Sequence, residues 1–576
     1  MIATGKQHKT NSPICGPVSL IISFILIFFG LFLKVYFQHQ TASKIDTSHA
    51  FYDKIGIVSD SEPCNKIAFQ IYKHHNNIID AIISLAFCVG LVNPQSSGIG
   101  GGFFLAYKNF NVSYTLNARE MAPLKATEDM FVNESSLVGG LAIAVPGQVK
   151  GLHHLHQKFG KLGWDKILQP TIDLAKNGYA TSEHLSENCK KFQSMDLETP
   201  NGFEIFLNEN GKFKSEGVMI TDLNQAMTLE KIAKDPADFY SGRLARDIAL
   251  DIQEAGGIVS AEDLNEYVIE EEFIATETLF ENLNKTLLSL GTPSGGPVLS
   301  MILGILDQFA SEKLASHWPH LVAETMKFAY GSRTKLGDNE SSRTYSKTMT
   351  DSKFWAEIRS KIFINQTFND AAYYGAEYEP IEDAGTSHMS ILTADGEAVS
   401  LTSTINTIFG SKVRGKRTGI FFNNEMDDFS TRGKINNYGL RPSAANFIVP
   451  GKRPLSSMCP SIISNEKGIP EMVIGGVGGS RIITATALNV IRKYFENLEL
   501  KDAVDLPRFH HQLLPNVVEI HKGFEEQFPD MIDHWKKTGH KVKFDDRKTF
   551  APVIYARNGV IEVKSDNRKS SGIYGE

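Results

Sequence analysis

Residues 383–390 read DAGTSHMS, and Thr386 within that run is the first candidate for chemistry. A threonine hydroxyl is a weak nucleophile until a base takes its proton, and one available base is the threonine's own α-amine. That amine has an unperturbed pKa of about 7.7–8.0, so near neutral pH it can accept a proton and return it. It exists only if the bond from Gly385 is cut. Glycine leaves room for the hydroxyl to reach the preceding carbonyl, so Gly385-Thr386 is a candidate self-cleavage point. Such pairs are common, and the pair alone is a weak signal.

Other stretches supply charge and backbone donors. Arg119 lies in NARE (117–120), Glu425 and Asp428 in FNNEMDDF (422–429), Ser456 and Ser457 in PLSSMCP (454–460), and Gly478 and Gly479 in GGVGGSR (475–481). Taken singly, each reads more simply as a strand-end arginine, a solvated acidic loop, loop chemistry before a proline, or a turn. Three other patterns lead elsewhere. Residues 410–417, GSKVRGKR, nearly form a phosphate loop, but Arg417 stands where a magnesium-binding Ser or Thr is needed. His317 and His320 flank Trp318-Pro319 without an HExxH helix, which argues against zinc, and His153, His154 and His156 read as a solvated helix face. GIGGGFF (98–104) lacks dinucleotide-fingerprint spacing and reads as close backbone packing.

Alternating segments at 386–393 and 398–405, joined through Asp395-Gly396, predict a hairpin led by Thr386. Further strands are expected after the glycine cluster, at 114–120 (YTLNARE), 419–423 and 471–476, and a helix at 481–496. Residues 64–91 have helical spacing that stops at Asn93-Pro94, and 145–178 read as two helices parted near Gly160–Gly163. Stretches 219–268 and 297–330 are mostly helical in pattern. The class is α/β or α+β around one large core.

The motifs at 383–390 and 402–406 (TSTIN), with those at 422–429, 454–460 and 475–481, resemble the γ-glutamyltransferase (glutathione hydrolase) family. SGIGGGFFL (97–105), NARE and VPGQVKG (145–151) are similar to that family's large-subunit motifs, and the match runs in order from about Cys64 to the carboxyl terminus. The resemblance implies an α+β fold: the four-layer αββα sandwich of N-terminal-nucleophile hydrolases, built from two self-cleaved subunits. It implies Thr386 as nucleophile, Thr404 orienting its hydroxyl, and Gly478 and Gly479 as the oxyanion hole. Arg119, Ser456 and Ser457 would bind the donor's α-carboxylate; Asn406, Glu425 and Asp428 would bind its α-ammonium. Donors would be glutathione, its S-conjugates and other γ-glutamyl compounds; acceptors would be water, amino acids or dipeptides. No cofactor and no metal are called for. One rival is an acylase for other amides on the same fold, against which the complete zwitterion-binding set argues. The other is a catalytically inactive, membrane-anchored binding glycoprotein, which would lack the threonine or its binding residues; here none is missing.

Over 576 residues, 59 Lys and Arg against 66 Asp and Glu give a net charge of −7 without clustered basic runs, so no nucleic-acid partner is expected. Residues 16–37 carry one charge, Lys34, and are long enough to cross a bilayer as a helix. With Lys6 and Lys9 before them and no acid in 1–15, they predict a single-pass type II protein of the cell membrane with an extracellular catalytic part. A cleaved signal peptide is the alternative. The expected organisation is a cytoplasmic tail (1–15), a signal-anchor (16–37), a linker (38–60), a large subunit (61–385) and a small subunit (386–576). Sequons at Asn111, Asn133, Asn284, Asn339 and Asn365 suggest glycosylation. Five cysteines are too few for a disulfide scaffold, and spacing alone pairs none of them. The resemblance implies a Cys64–Cys88 bridge and leaves Cys459 as a buried thiol.

Overall fold

The Asp395-Gly396 turn forms as its sequence demands. Gly396 takes φ +89°, and strands Ser387–Thr393 and Ala398–Thr404 pair antiparallel from Ser387↔Ser403 to Leu392↔Ala398. Both strands are buried along their whole length, so neither shows the alternation of a half-exposed strand. In this computed structural model, which describes residues 48–576 apart from 195–201, 274, 276, 310–316, 379–384, 433–440, 546, 548 and 570, the hairpin lies at the centre of a seven-stranded sheet. Its neighbours are Ile55–Ser59 beside Ser387–Thr393 and Gly102–Lys108 beside Ala398–Thr404. Gly572–Gly575, Ser113–Ala118 and Glu270–Glu272 complete the sheet.

A second seven-stranded sheet runs in the order His49–Tyr52, Val560–Lys564, Val553–Arg557, Pro470–Ile474, Ser461–Ser464, Lys285–Ser289, Thr278–Phe280. Every pairing in both sheets is antiparallel. Val58, Ala106, Leu392 and Ala398 of the first sheet meet Leu288, Ile462, Val473 and Ile554 of the second in one apolar layer. Outside the first sheet pack helices Glu62–His75, Ile78–Val92, Gln148–Phe159 and Trp164–Asn177; outside the second pack Gly296–Asp307, Trp318–Arg333 and Arg481–Val490. The result is the αββα sandwich, and Ser48–Glu576 forms one unit.

Cys64 and Cys88 are bridged, tying the first two helices together, while Cys189 and Cys459 are buried and not disulfide-bonded. The glycine cluster packs as closely as its sequence suggests: a Cβ on Gly101 would lie 2.0 Å from Thr404 O, so only glycine lets these backbones touch. Some expectations fail. The helical stretch 64–91 is two helices, broken where Asn76 turns left-handed at φ +47°. Residues 419–423 make no strand, only the single bridge Arg414↔Phe421. The helix from Arg481 becomes a π-turn at Ile491–Phe495.

The membrane assignment is corrected. Among the described residues no helix is long and apolar enough to cross a bilayer. Residues 16–37 lie outside the described residues, so the cell-membrane location has no structural support.

Candidate active site

The strand that begins at Ser387 carries Thr386 into the sheet's centre, where it is 2% exposed. Gly385 holds φ +85°, and a Cβ there would stand 1.9 Å from the carbonyl oxygen of Asn406. That approach aims the Gly385 carbonyl at the next strand, where Thr404 Oγ1 donates to Gly385 O at 2.7 Å. The same oxygen accepts from the Asn406 amide at 2.7 Å, which fixes the hydroxyl's direction. Thr404 thus contacts the carbonyl that precedes Thr386; among the described residues the Thr386 hydroxyl makes no hydrogen bond.

Gly478 and Gly479 sit between strand Pro470–Ile474 and helix Arg481–Val490, with φ of +127° and +65°. Among the described residues neither N–H is taken up by a protein acceptor, whereas the flanking Val477 donates to Phe550 O. Two backbone donors therefore remain for an oxygen from outside the chain.

The charged residues converge, but first on one another. Arg119, fully buried, pairs through Nη1 with Glu425 and through Nη2 with Asp428 at 2.5 Å, and lies 3.7 Å from Glu120. One guanidinium thus faces three carboxyl groups. Burial drives the Glu425 carboxyl well above the usual range despite Arg119. Burial, offset by Arg119, pushes Glu120 up to about 7, and both its oxygens are buried without a hydrogen-bond partner. An arriving ammonium would find carboxylates, and the protons they hold would leave. Asn406 Nδ2 donates to Asn424 O at 3.1 Å, leaving its amide oxygen as an acceptor.

The serines are set by their loop. Ser456 N–H donates to Pro293 O at 2.8 Å, its Oγ accepts from Met458 N at 3.2 Å, and Ser457 Oγ accepts from Arg333 Nη2 at 2.9 Å. Two asparagines missed by the motif reading hold these loops together. Asn446 donates to Asp428 O and accepts from Leu455 N, while Asn423 donates to Gly100 O and Ala144 O and accepts from Glu425 N. Asn423 lies inside the FNNEMDDF run without being singled out there, and Asn446 carries no sequence signal beyond its polarity. Glu120 and Arg333 were also missed, the first hidden beside Arg119 and the second inside a helical run.

Elsewhere, His320, Glu324 and His540 bring donor atoms within 4.8 Å of one another, a set able to take a metal ion. Those atoms are already engaged. His320 Nδ1 and His540 Nε2 share a 2.9 Å hydrogen bond, Tyr374 and Thr367 donate to Glu324, and the Lys327 ammonium stands 3.4 Å from Glu324. That ammonium supplies the positive charge a cation would bring, so the cluster is complete without one. A cleft of about 1050 Å³ lined by Asn117, Glu270, Thr292 and Arg343 contains none of the proposed site residues. The near-phosphate loop is structural: Arg414 pairs with Asp222 at 2.7 Å and Arg417 with Asp251 at 3.0 Å. Of the sequons, Asn111, Asn133, Asn284 and Asn365 are exposed, whereas Asn339 is half-buried and caps helix Glu340–Met349.

A family model described as gamma-glutamyltranspeptidase matches residues 64–575. Scoloptoxin SSD14 of Scolopendra dehaani is 37% identical over 546 residues, 91% of this chain and 92% of that protein. Glutathione hydrolase proenzyme 1 of Schizosaccharomyces pombe is 36% identical over 538 residues, 90% of this chain and 84% of its own. Among solved structures, the cephalosporin acylase of Bacillus halodurans superposes with a TM-score of 0.79 over 92% of this chain and 97% of its own; at 21% identity it speaks for the fold alone.

Proposed function

Because the chain belongs to the gamma-glutamyltranspeptidase family, we propose that it hydrolyses the γ-glutamyl amide bond of glutathione and its conjugates and transfers the γ-glutamyl group to amino acids or dipeptides. Thr386 is the nucleophile, and the chain makes it by cutting itself. In the precursor, Thr386 Oγ attacks the Gly385 carbonyl carbon while the Thr404 hydroxyl stabilises the oxygen as it gains charge. The peptide C–N bond breaks, the acyl group rests on Oγ as an ester, and water releases Gly385 as a carboxylate and Thr386 with a free α-amine. The products are residues 1–385, which contain the large subunit (61–385), and residues 386–576, the small subunit. With Gly385 gone, Thr404 is available to orient the Thr386 hydroxyl.

In turnover the α-amine takes the hydroxyl proton as Oγ attacks the γ-carbonyl of the donor. The N–H groups of Gly478 and Gly479 hold the oxyanion, the proton passes to the departing amine, and cysteinylglycine leaves from glutathione. Water or an acceptor amine then attacks the ester and restores Thr386. Asn406, Glu425 and Asp428 receive the donor's α-ammonium, and Arg119, Ser456 and Ser457 its α-carboxylate. No cofactor enters any step. Asn111, Asn133, Asn284 and Asn365 are the glycan acceptors proposed on exposure, and Asn339 is the least accessible.

The observation that supports this most is the Gly385 carbonyl itself: held at 2.7 Å by a buried hydroxyl, on a glycine no other residue can replace, one bond before a buried threonine. The test is a denaturing gel with amino-terminal sequencing. Two chains are expected, the smaller beginning Thr-Ser-His-Met, and Thr386→Ala should remain whole and release nothing from a γ-glutamyl anilide. A wild-type chain that stays uncut, or is cut elsewhere, overturns the reading.

A further inference from the structure

The run GSKVRGKR (410–417) leaves one partly buried cation without an acid. Arg414 and Arg417 pair with Asp222 and Asp251, and Lys416 is exposed. Lys412 is half-buried, and its ammonium donates to Ile408 O, to Gly410 O at 2.9 Å and to Thr407 Oγ1 at 3.2 Å. Asp251 and Glu254 line the same small cleft of about 200 Å³ but are bound to Arg417. Burial alone draws the Lys412 ammonium down to about 8, with no carboxylate to offset it. A buried charge held only by neutral oxygens is costly, and its use lies in what those oxygens hold.

They hold a strained loop. Asn406, Phe409 and Lys412 take φ of +70°, +57° and +63°, a left-handed conformation that is unfavourable for residues with a Cβ. The ammonium gathers this turn from within, since all three of its acceptors belong to residues 407–410. Because Thr407 Oγ1 accepts from the ammonium, its single proton goes to Asn424 Oδ1 at 3.1 Å or Gly410 O at 3.2 Å. Asn424 Oδ1 also accepts from the Thr407 amide at 3.0 Å, and the Asn424 carbonyl accepts from Asn406 Nδ2 at 3.1 Å. A continuous chain of hydrogen bonds thus runs from Lys412 through Thr407 and Asn424 to Asn406, and to the backbone that leads into Glu425. Only the fold brings 406–412 against Asn424; the sequence of the run shows no such role.

We propose that Lys412 is a positioning residue for the donor's α-ammonium. By holding loop 406–412 through Thr407 and the Ile408 and Gly410 carbonyls, it fixes the Asn406 side chain and the Asn424–Glu425 backbone where they receive that group. It thereby favours γ-glutamyl donors over acyl donors that lack the amino group. The proposal rests on assigning Asn406 and Glu425 to the α-ammonium.

The test compares two donors on the self-cleaved protein: L-γ-glutamyl-p-nitroanilide, and glutaryl-p-nitroanilide, the same anilide without its α-amino group. Lys412→Met should raise KM for the γ-glutamyl donor roughly 10-fold, the lower end for a hydrogen bond to a charged group, with little change in kcat. The glutaryl donor's kcat/KM should hardly move, so the preference between donors shrinks by the same factor. Lys412→Arg keeps a cation with several donors and should recover part of the loss. Thr407→Val removes the oxygen through which the ammonium reaches Asn424. It should show the same pattern, and it serves as the test if the methionine variant fails to mature. The two substitutions together should cost little more than one. An unchanged KM, equal losses on both donors, or full additivity would overturn the role of Lys412 while leaving the nucleophile assignment standing. A self-cleaved wild-type protein that does not distinguish the two donors would instead overturn the ammonium reading beneath it.

Discussion

Replacing Thr404 by valine takes one oxygen from the precursor and should nearly arrest its self-cleavage. That oxygen donates to Gly385 O and accepts from the Asn406 amide, both at 2.7 Å, on a residue only 3% exposed. Two effects follow, and they can be separated. In the ground state a buried carbonyl and a buried N–H lose their partner, at about 1–3 kcal/mol each in stability. In the transition state the Gly385 oxygen gains charge, and losing a donor aimed at a developing oxyanion costs about 3–4 kcal/mol, roughly 10²- to 10³-fold in rate. The stability loss is small for a unit of this size, so the folded precursor should accumulate. The assay is a time course after cell-free synthesis, following the uncut band on a denaturing gel, with a thermal melt confirming that the variant is folded. Thr404→Ser keeps the hydroxyl and should cleave far faster than the valine variant. A folded valine variant that matures at the wild-type rate, or a serine variant as slow as valine, would refute the role given to this oxygen.

Gly385→Ala should also stay uncut, since its Cβ would enter the Asn406 carbonyl at 1.9 Å while the backbone holds φ +85°; amino-terminal sequencing that finds Thr386 exposed at the normal rate would contradict this. Glu120, raised to about 7 chiefly by burial, is neutral below that pH and anionic above it. The donor's KM should therefore fall as pH rises through about 7, and a Glu120→Gln variant with the same pH profile would exclude this carboxyl as the cause. Replacing both Cys64 and Cys88 by alanine opens a loop with a sequence separation of 24. The loss, about 3–4 kcal/mol by loop entropy, should lower Tm by about 3 °C over this large unit. An unchanged melt would show that the bridge does not constrain the unfolded chain.

Local features were the legible ones. The hairpin after Thr386 follows from Asp395-Gly396 and two apolar runs, and the helix stop follows from Asn93-Pro94. Pairings such as Gly572↔Ser59 join residues at opposite ends of the chain, and no local period announces them. The segment 419–423 read as a strand on its alternating pattern, but Ile420, Phe421 and Phe422 are buried without joining a sheet, and Phe421 packs against Phe203, Phe206 and Phe409. The pattern there reported burial and not pairing. In the site, motif residues were found through family resemblance, whereas Arg333 and Asn446 act through atoms whose partners lie more than a hundred residues away or inside a loop of their own. Glu120 was adjacent to a named residue and still missed, because what distinguishes it is burial without a hydrogen-bond partner.

Both sheets draw strands from each side of Thr386: Ile55–Ser59 is flanked by Ser387–Thr393 and Gly572–Gly575, and Lys285–Ser289 lies beside Ser461–Ser464. The proposed cut at Gly385 would therefore remove a covalent tie without loosening the interleaved sheets, but it would change what unfolding means. The precursor folds as one molecule, at a rate independent of its concentration. Once cut, the same structure can be regained only by an encounter between two chains, neither of which owns a complete sheet. Maturation by that cut would work as a ratchet: the cut protein would persist through its barrier to unfolding, and a denatured sample should recover in proportion to how concentrated it is.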